Sequence, residues 1–209
     1  MNILLVGVQG SGKGTQARKI ENQYGFLLFE TGQTLRDIAK GDNDFSKRIH
    51  QRINVEGKLA DDVDVAKVIA DYAEENKGEN IIFDGAIRNL AQNKIIASLL
   101  GEFVVFYFVL DFDVAIKRLT GRKVDSITGE SFPSNFPKDV NPKTGNPLIV
   151  RPDDGELTTI QTRMDIFKND TLPLIDIWKA EGRKIFEFDA SKTENEIFAD
   201  VEEVLKNIL

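Results

Sequence analysis

The chain has 209 residues, enough for one compact domain with room for insertions. Its 41% hydrophobic and 29% charged content suits a packed core under an ordinary soluble surface, and its net charge of −7 argues against a nucleic-acid-binding face, which is usually basic. Zero cysteines exclude disulfides and thiolate metal sites.

In chain order, Asn2–Val6 is a short continuous apolar run, the pattern of a strand buried on both faces. A glycine-rich stretch, Gly7 to Thr15, follows, and Gln16–Ile20 reads as the first turns of a helix. Neither a basic stretch nor a long apolar one opens the first eight residues, so no signal peptide is expected. Leu27–Phe29 is a second strand, and residues 30–60 show short helical patterns with charged faces. The single histidine, His50, lies there and reads as a surface residue. Asp61–Asn76 carries Val65, Val68, Ile69 and Tyr72 at helical spacing, before a strand at Asn80–Phe83 and a helix at Asn93–Leu100. Phe103–Leu110 is the longest apolar run, far short of the roughly 20 residues a membrane span needs. Asp113–Leu119 is helical; after a break come a strand at Lys184–Phe188 and a helix at Glu194–Leu209, with Ile197, Phe198, Val201, Val204, Leu205 and Ile208 on one stripe.

Strands alternating with helices predict an α/β fold around a parallel five-stranded sheet. Ligands in such folds sit at the carboxyl ends of strands, where the glycine-rich loop, Asp84 and Asp111 fall. Two segments break the rhythm. Residues 30–60 form one insertion; residues 122–159, which hold five of the six prolines, form a second, read as a lid or binding element with a flexible linker as the plainer alternative. Within the second, Asp125-Ser-Ile-Thr128-Gly129 echoes Asn141-Pro-Lys-Thr144-Gly145, which predicts two facing turns. The core is then 1–29, 61–121 and 160–209.

The loop Gly7-Val-Gln-Gly10-Ser11-Gly12-Lys13-Gly14-Thr15 carries the chemistry. Its glycines let the backbone curl round an anion and point N–H groups at it. The helix start adds unpaired donors and a partial positive charge. Lys13 brings a full charge to the phosphates and Thr15 a hydroxyl for a metal. A turn that merely joins strand to helix is the plainer alternative; the strand before it and the helix after it favour the phosphate-binding P-loop.

The string Gly-x-x-Gly-x-Gly-Lys-Gly-Thr resembles the adenylate kinase family of nucleoside monophosphate kinases, and its other motifs recur in order along nearly the whole chain. That resemblance implies a three-layer P-loop fold in which 30–60 binds the monophosphate and 122–159 is a lid closing over ATP. It also implies Mg-dependent phosphoryl transfer, ATP plus AMP giving two ADP, by a cytoplasmic monomer with no nucleic-acid or membrane partner. Gly10, Ser11, Gly12, Lys13, Gly14 and Thr15 would hold ATP phosphates. Thr31-Gly32-Gln33-Thr34-Leu35-Arg36 resembles Thr-Gly-Asp-x-Leu-Arg, so Thr31, Gly32 and Arg36 would hold AMP; Lys58, Leu59 and Ala60 would line its base. Asp84-Gly85-Ala86-Ile87-Arg88 resembles Asp-Gly-Phe-Pro-Arg: Asp84 and Thr15 would hold Mg2+, partly through water, and Gly85 and Arg88 would meet AMP. Gln92 follows, and its amide suits an adenine edge.

Lys117-Arg118-Leu-Thr-Gly-Arg122 resembles Arg-x-x-Gly-Arg, which puts Arg118 against the ATP adenine, where a guanidinium stacks well, and Arg122 on the polyphosphate. Ser131 and Phe132 in the lid, and Lys192 in Asp189-Ala-Ser-Lys192, complete the implied ATP site. Arg151-Pro-Asp-Asp154 and Arg163 supply further arginines to the AMP site and the catalytic set, which is Lys13, Asp84, Arg88, Arg122, Arg151 and Arg163. Relatives with structural zinc carry Cys-x-x-Cys pairs where this chain has Asp125, Thr128, Asn141 and Thr144. Such hard groups make a poor zinc site, so no structural zinc is expected, and hydrogen bonds would join the turns instead.

The chain departs from the pattern at three places. Gln33 replaces Asp, Ala86-Ile87 replaces Phe-Pro, and the interval from Arg151 to Arg163 is one residue longer than usual. Two alternatives stay open: a UMP- or CMP-type kinase, which Gln92 disfavours, and a weakly catalytic adenine-nucleotide sensor, which the departures keep in view.

Overall fold

The computed structural model describes residues 1–56, 59–150, 154 and 156–209. Five parallel strands form the central sheet: β1 (Asn2–Gly7), β2 (Leu27–Glu30), β3 (Ile81–Asp84), β4 (Phe103–Val109) and, penultimate element of the chain, the strand Ile185–Asp189. The order across the sheet is β2-β3-β1-β4 and then Ile185–Asp189, all parallel.

The helices are α1 (Lys13–Tyr24), α2 (Thr31–Ile38), α3 (Asp44–His50), α4 (Asp62–Glu75), α5 (Leu90–Leu100), α6 (Phe112–Leu119), α7 (Leu157–Ile166), α8 (Pro173–Ala180) and α9 (Glu194–Ile208). α3 continues into a π-helical turn at Gln51–Val55 and α7 into another at Phe167–Thr171. Between α6 and α7 lies a small antiparallel sheet of β5 (Lys123–Asp125), β6 (Ser131–Phe132) and β7 (Leu148–Val150), so Ile185–Asp189 is β8.

The continuous apolar runs are explained by burial on both faces. Leu4 and Val6 of β1 point into a core that includes Phe29, Phe83, Ile69, Ile96, Met164 and Trp178, under α4, α5, α7 and α8. Ile3 and Leu5 point the other way, to Ile20, Phe106, Phe188, Val201 and Leu205 under α1 and α9. Three layers result. Ile197, Phe198, Val201 and Leu205 of the α9 stripe are buried, with Val204 and Ile208 packed at its margin. A capping box between Thr193 and Glu196 fixes the start of that helix.

Strand and helix limits fall within a residue or two of the sequence reading, except that α1 starts three residues earlier, at Lys13, and α5 three residues earlier, at Leu90. Asn89 caps α5 by accepting the Gln92 N–H. Asp111 is a helix cap rather than a ligand group: its Oδ1 accepts the N–H groups of Asp113 and Val114. His50 is exposed, beside Asn54. No helix among the described residues is long and apolar enough to cross a membrane.

Candidate active site

The loop from Gly7 to Gly12 leaves the carboxyl end of β1 and feeds directly into α1. Gly10 has φ +87°, and a Cβ there would fall 3.0 Å from the Ala115 carbonyl and 3.3 Å from Leu119 Cγ, so only glycine lets the loop lie on α6. Ser11 is wholly buried, and among the described residues its Oγ has no hydrogen-bond partner. Lys13 curls back over the loop, donating from Nζ to the Gly7 carbonyl at 2.6 Å and the Val8 carbonyl at 3.1 Å. Burial pulls its pKa down to about 8; Asp84 opposes that, while Arg88, Arg122 and Arg163 add to it. The ammonium thus feels one carboxylate and three guanidiniums that arrive from separate parts of the chain.

Asp84 ends β3 beside the P-loop, with Oδ2 3.8 Å from where a Cβ on Gly14 would sit. Gly85, at φ +71°, makes room for Arg88: a Cβ there would lie 2.8 Å from Arg88 Nη2. Arg88 Nε donates to the Gly85 carbonyl, the Arg88 N–H to Gln92 Oε1, and the Thr171 hydroxyl to the Arg88 carbonyl. Gln92 Nε2 donates in turn to Asp62 Oδ1, which also accepts from Asn89. The buried amide of Gln92 therefore braces the Arg88 backbone. Ala86 and Ile87, where the resemblance places Phe-Pro, are core residues at 0% and 2% exposure.

Arg122, just after α6, and Arg163, in α7, meet on one carboxylate. Asp154 Oδ2 accepts from Arg122 Nε at 2.8 Å and forms an ion pair with Arg122 Nη2 at 2.6 Å, and Oδ1 accepts from Arg163 Nη1 at 2.6 Å. The Asp154 side chain has no exposed surface. Arg118 Nη1 spans the carbonyls of Gly10 at 3.4 Å and Ala190 at 2.8 Å, tying the P-loop to the loop after β8. Lys192 in that loop turns outward, its Nζ on Asp200 of α9 at 2.6 Å, so its side chain does not join the cluster.

On the side of residues 30–60, Thr31 starts α2 and is buried; its Oγ1 has no hydrogen-bond partner among the described residues. Arg36 Nη1 lies 3.4 Å from where a Cβ on Gly32 would sit, and its Nη2 donates to Gln33 Oε1. Leu59 is exposed and Ala60 buried. Lys58 and Arg151 lie outside the described residues. The opposite flank is the Thr128–Gly129 turn: the Thr128 carbonyl accepts from Arg18 Nη2 of α1 at 3.2 Å, and Gly129 abuts Gln33. In β6, Ser131 is exposed and Phe132 packs on Phe136.

The two echoing turns face each other around Asp125. Its Oδ1 accepts the N–H groups of Ile127 and Thr128, and its Oδ2 accepts Asn141 Nδ2 at 2.8 Å and Thr144 Oγ1 at 2.7 Å. Thr128 joins through its backbone; its hydroxyl accepts the Glu130 N–H. Two groups not singled out in the sequence complete the cluster, Asn146 donating to Asp125 and Glu130 accepting from Asn141 and Lys143. Burial would raise the Asp125 carboxyl, but the bonds from Thr128, Ile127, Thr144 and Asn141 outweigh it and hold the group well below the usual carboxylate range. Its contribution to stability is therefore present at neutral pH and lost only in strong acid. We expect Asp125→Ala to destabilise this segment by about 2–4 kcal/mol, since four or more donors lose their acceptor. Hydrogen exchange should quicken across residues 122–150 and stay slow in β1 and β4; uniform quickening, or none, would count against a local role.

Fold and loop together define a P-loop nucleotide-binding protein. Among the described residues no group of three or more His, Cys, Asp or Glu could hold a metal ion unaided. The family model described as "Adenylate kinase" matches residues 5–183. The chain is 31% identical to the adenylate kinase of Hydrogenobaculum sp., with 98% of this chain and 100% of the relative covered. It is 30% identical to that of Natronomonas pharaonis (99% and 98% covered) and 31% to that of Treponema denticola (95% and 96%). The chain belongs to the adenylate kinase family.

Proposed function

We propose that the chain catalyses reversible transfer of the γ-phosphoryl group of Mg-ATP to AMP, giving two ADP. The observation that carries this reading is the convergence of Lys13, Arg88, Arg122 and Arg163 with Asp84 at the carboxyl edge of the sheet. Phosphoryl transfer needs little covalent help: the protein aligns donor and acceptor and stabilises charge on the transferring group. A phosphate acceptor is already anionic, so no general base is assigned.

In this reading Gly10 to Thr15 cradle the ATP phosphates, and Arg118 backs the adenine with Ser131, Phe132 and the backbone around Lys192 beside it. Thr31, Gly32, Arg36, Gly85 and Arg88 take the AMP phosphate, with Lys58, Leu59, Ala60 and Gln92 around its base. Arg122, Arg163 and Arg151 neutralise the phosphates between them. The hydroxyl of Thr15 and the carboxylate of Asp84 are hard oxygen donors separated by no side chain at Gly14, a set that fits Mg2+. Mg2+ would supply charge neutralisation on the ATP oxygens. Residues 30–60 and 122–159 act as the two closing insertions on the core 1–29, 61–121 and 160–209. Closure excludes water and so favours AMP over hydrolysis.

The test is coupled turnover with Mg-ATP and each of AMP, GMP, UMP and CMP. ADP formation with AMP alone is expected. Faster turnover with UMP or CMP would reassign the acceptor, and nucleotide binding without turnover on any acceptor would defeat the enzymatic reading.

A further inference from the structure

The resemblance places Asp at position 33, and this chain has Gln. The Gln33 amide is engaged elsewhere, donating to Asp37 and accepting from Arg36. Yet the site holds a second carboxylate, three residues earlier. Glu30 ends β2 and pairs in register with Asp84, which ends β3, so both side chains leave the same edge of adjacent strands. Glu30 Oε1 and Asp84 Oδ2 each lie 3.8 Å from the point a Cβ on Gly14 would occupy, next to the Thr15 hydroxyl in sequence. The other Glu30 oxygen, Oε2, is paired with Arg18 Nη2 at 2.7 Å, which leaves Oε1 as the oxygen on the Gly14 side.

The electrostatics of the pair are consistent with a cation between them. Two carboxylates turned toward one point repel, and a cation between them relieves that repulsion.

We infer that Glu30 is a second metal-positioning carboxylate, which together with Asp84 holds the water shell of the Mg2+ delivered with ATP and supplies the negative charge that Gln33 lacks. The inference rests on the reading of the site as one for Mg-ATP. Glu30 acts on the metal through water, as an outer partner, and its loss should weaken metal affinity by about tenfold or more.

The experiment uses Mn2+ as the probe, its free concentration read by electron paramagnetic resonance in the presence of the protein and ATP. Glu30→Gln should weaken Mn2+ binding to the protein–ATP complex about tenfold, while ATP binding in excess chelator stays within twofold of the original chain. Adding Gln33→Asp to Glu30→Gln should recover at least a third of the lost affinity on a logarithmic scale. Glu30→Asp, which keeps the charge, should stay closer to the original than Glu30→Gln does, and gives a second readout should the Gln variant fold poorly. Arg18→Gln removes the Arg18 pair but not the carboxylate, and should leave Mn2+ affinity unchanged or tighter. Unchanged Mn2+ affinity in Glu30→Gln, or equal losses in Glu30→Gln and Arg18→Gln, would overturn the inference while leaving the enzymatic reading intact. Failure of the original chain to bind Mn-ATP would overturn both.

Discussion

Replacing Lys13 by methionine should lower turnover roughly 10³-fold while raising the melting temperature of the protein measured without nucleotide. The two effects share one cause. Lys13 is a partly buried residue whose ammonium lies near Arg88, Arg122 and Arg163, with its pKa pulled from 10.5 to about 8. The unfolded chain therefore holds that proton more tightly than the folded one. Its cost to folding is fully present below about pH 8 and is relieved as the pH rises from about 8 to 10.5. At about 1.4 kcal/mol per pKa unit the charge costs at most about 3 kcal/mol, and the lost bonds to Gly7 and Val8 offset part of the gain from removing it. Melting curves at pH 7 should show the variant more stable, with the gap closing toward pH 10. The same pKa predicts that kcat/KM for ATP falls as pH rises through about 8 in the original chain, because the free enzyme loses its charge there. Bound phosphates favour the ammonium, so kcat should hold to higher pH. A kcat/KM profile flat to pH 9.5, or a less stable methionine variant, would contradict this account.

Asp154→Asn is expected to be nearly as damaging to activity and far worse for folding. Asp154 is fully enclosed and is the shared partner of Arg122 and Arg163. An amide of the same size leaves two guanidiniums facing each other with a neutral group between them. Breaking such an enclosed pair from one side costs about 3–5 kcal/mol, so about 3 kcal/mol is expected here. Turnover should fall about 10²-fold, because both arginines lose the group that aims them. Phosphates can replace the missing charge, so saturating ADP should raise the melting temperature of Asp154→Asn more than that of the original chain. Adding Arg163→Gln to the variant should recover stability without recovering turnover. Equal ADP stabilisation in the two proteins would show that Asp154 serves folding alone.

The parts of the molecule that were legible in the sequence are those where one physical requirement dominates a short window. β1 must be apolar on both faces, the P-loop needs glycine where its backbone touches α6, and α9 announces itself with a cap and a continuous stripe. What was not legible depends on distant partners. α7 and α8 pack Ile160, Met164, Ile175 and Trp178 into the core, but polar residues between them blur the stripe. β5, β6 and β7 are only two or three residues long, below the length at which alternation can be read. Asp111 sits at a strand end as ligand residues do, yet caps α6. The cluster around Asp125 was visible as an echo of two turns; Glu130 and Asn146 belong to it only because the turns fold face to face. Glu30 and Arg18 escaped notice for the same reason, since their pairing with each other and with Asp84 and Thr128 is made across elements.

The hub arrangement at Asp125 also shapes how this segment can drift over generations. Donors from both turns converge on a single side chain, while each donor serves it with one or two bonds. A tetrahedral metal site loses its ion when one of four ligands changes, so its members are locked together. Here Thr144 or Asn146 can be exchanged one at a time, each at a modest loss, with the remaining bonds keeping the turns in place. The rim is open to neutral change and the centre is not. Lineages descending from this chain should therefore vary freely at positions 144 and 146 long before they vary at 125.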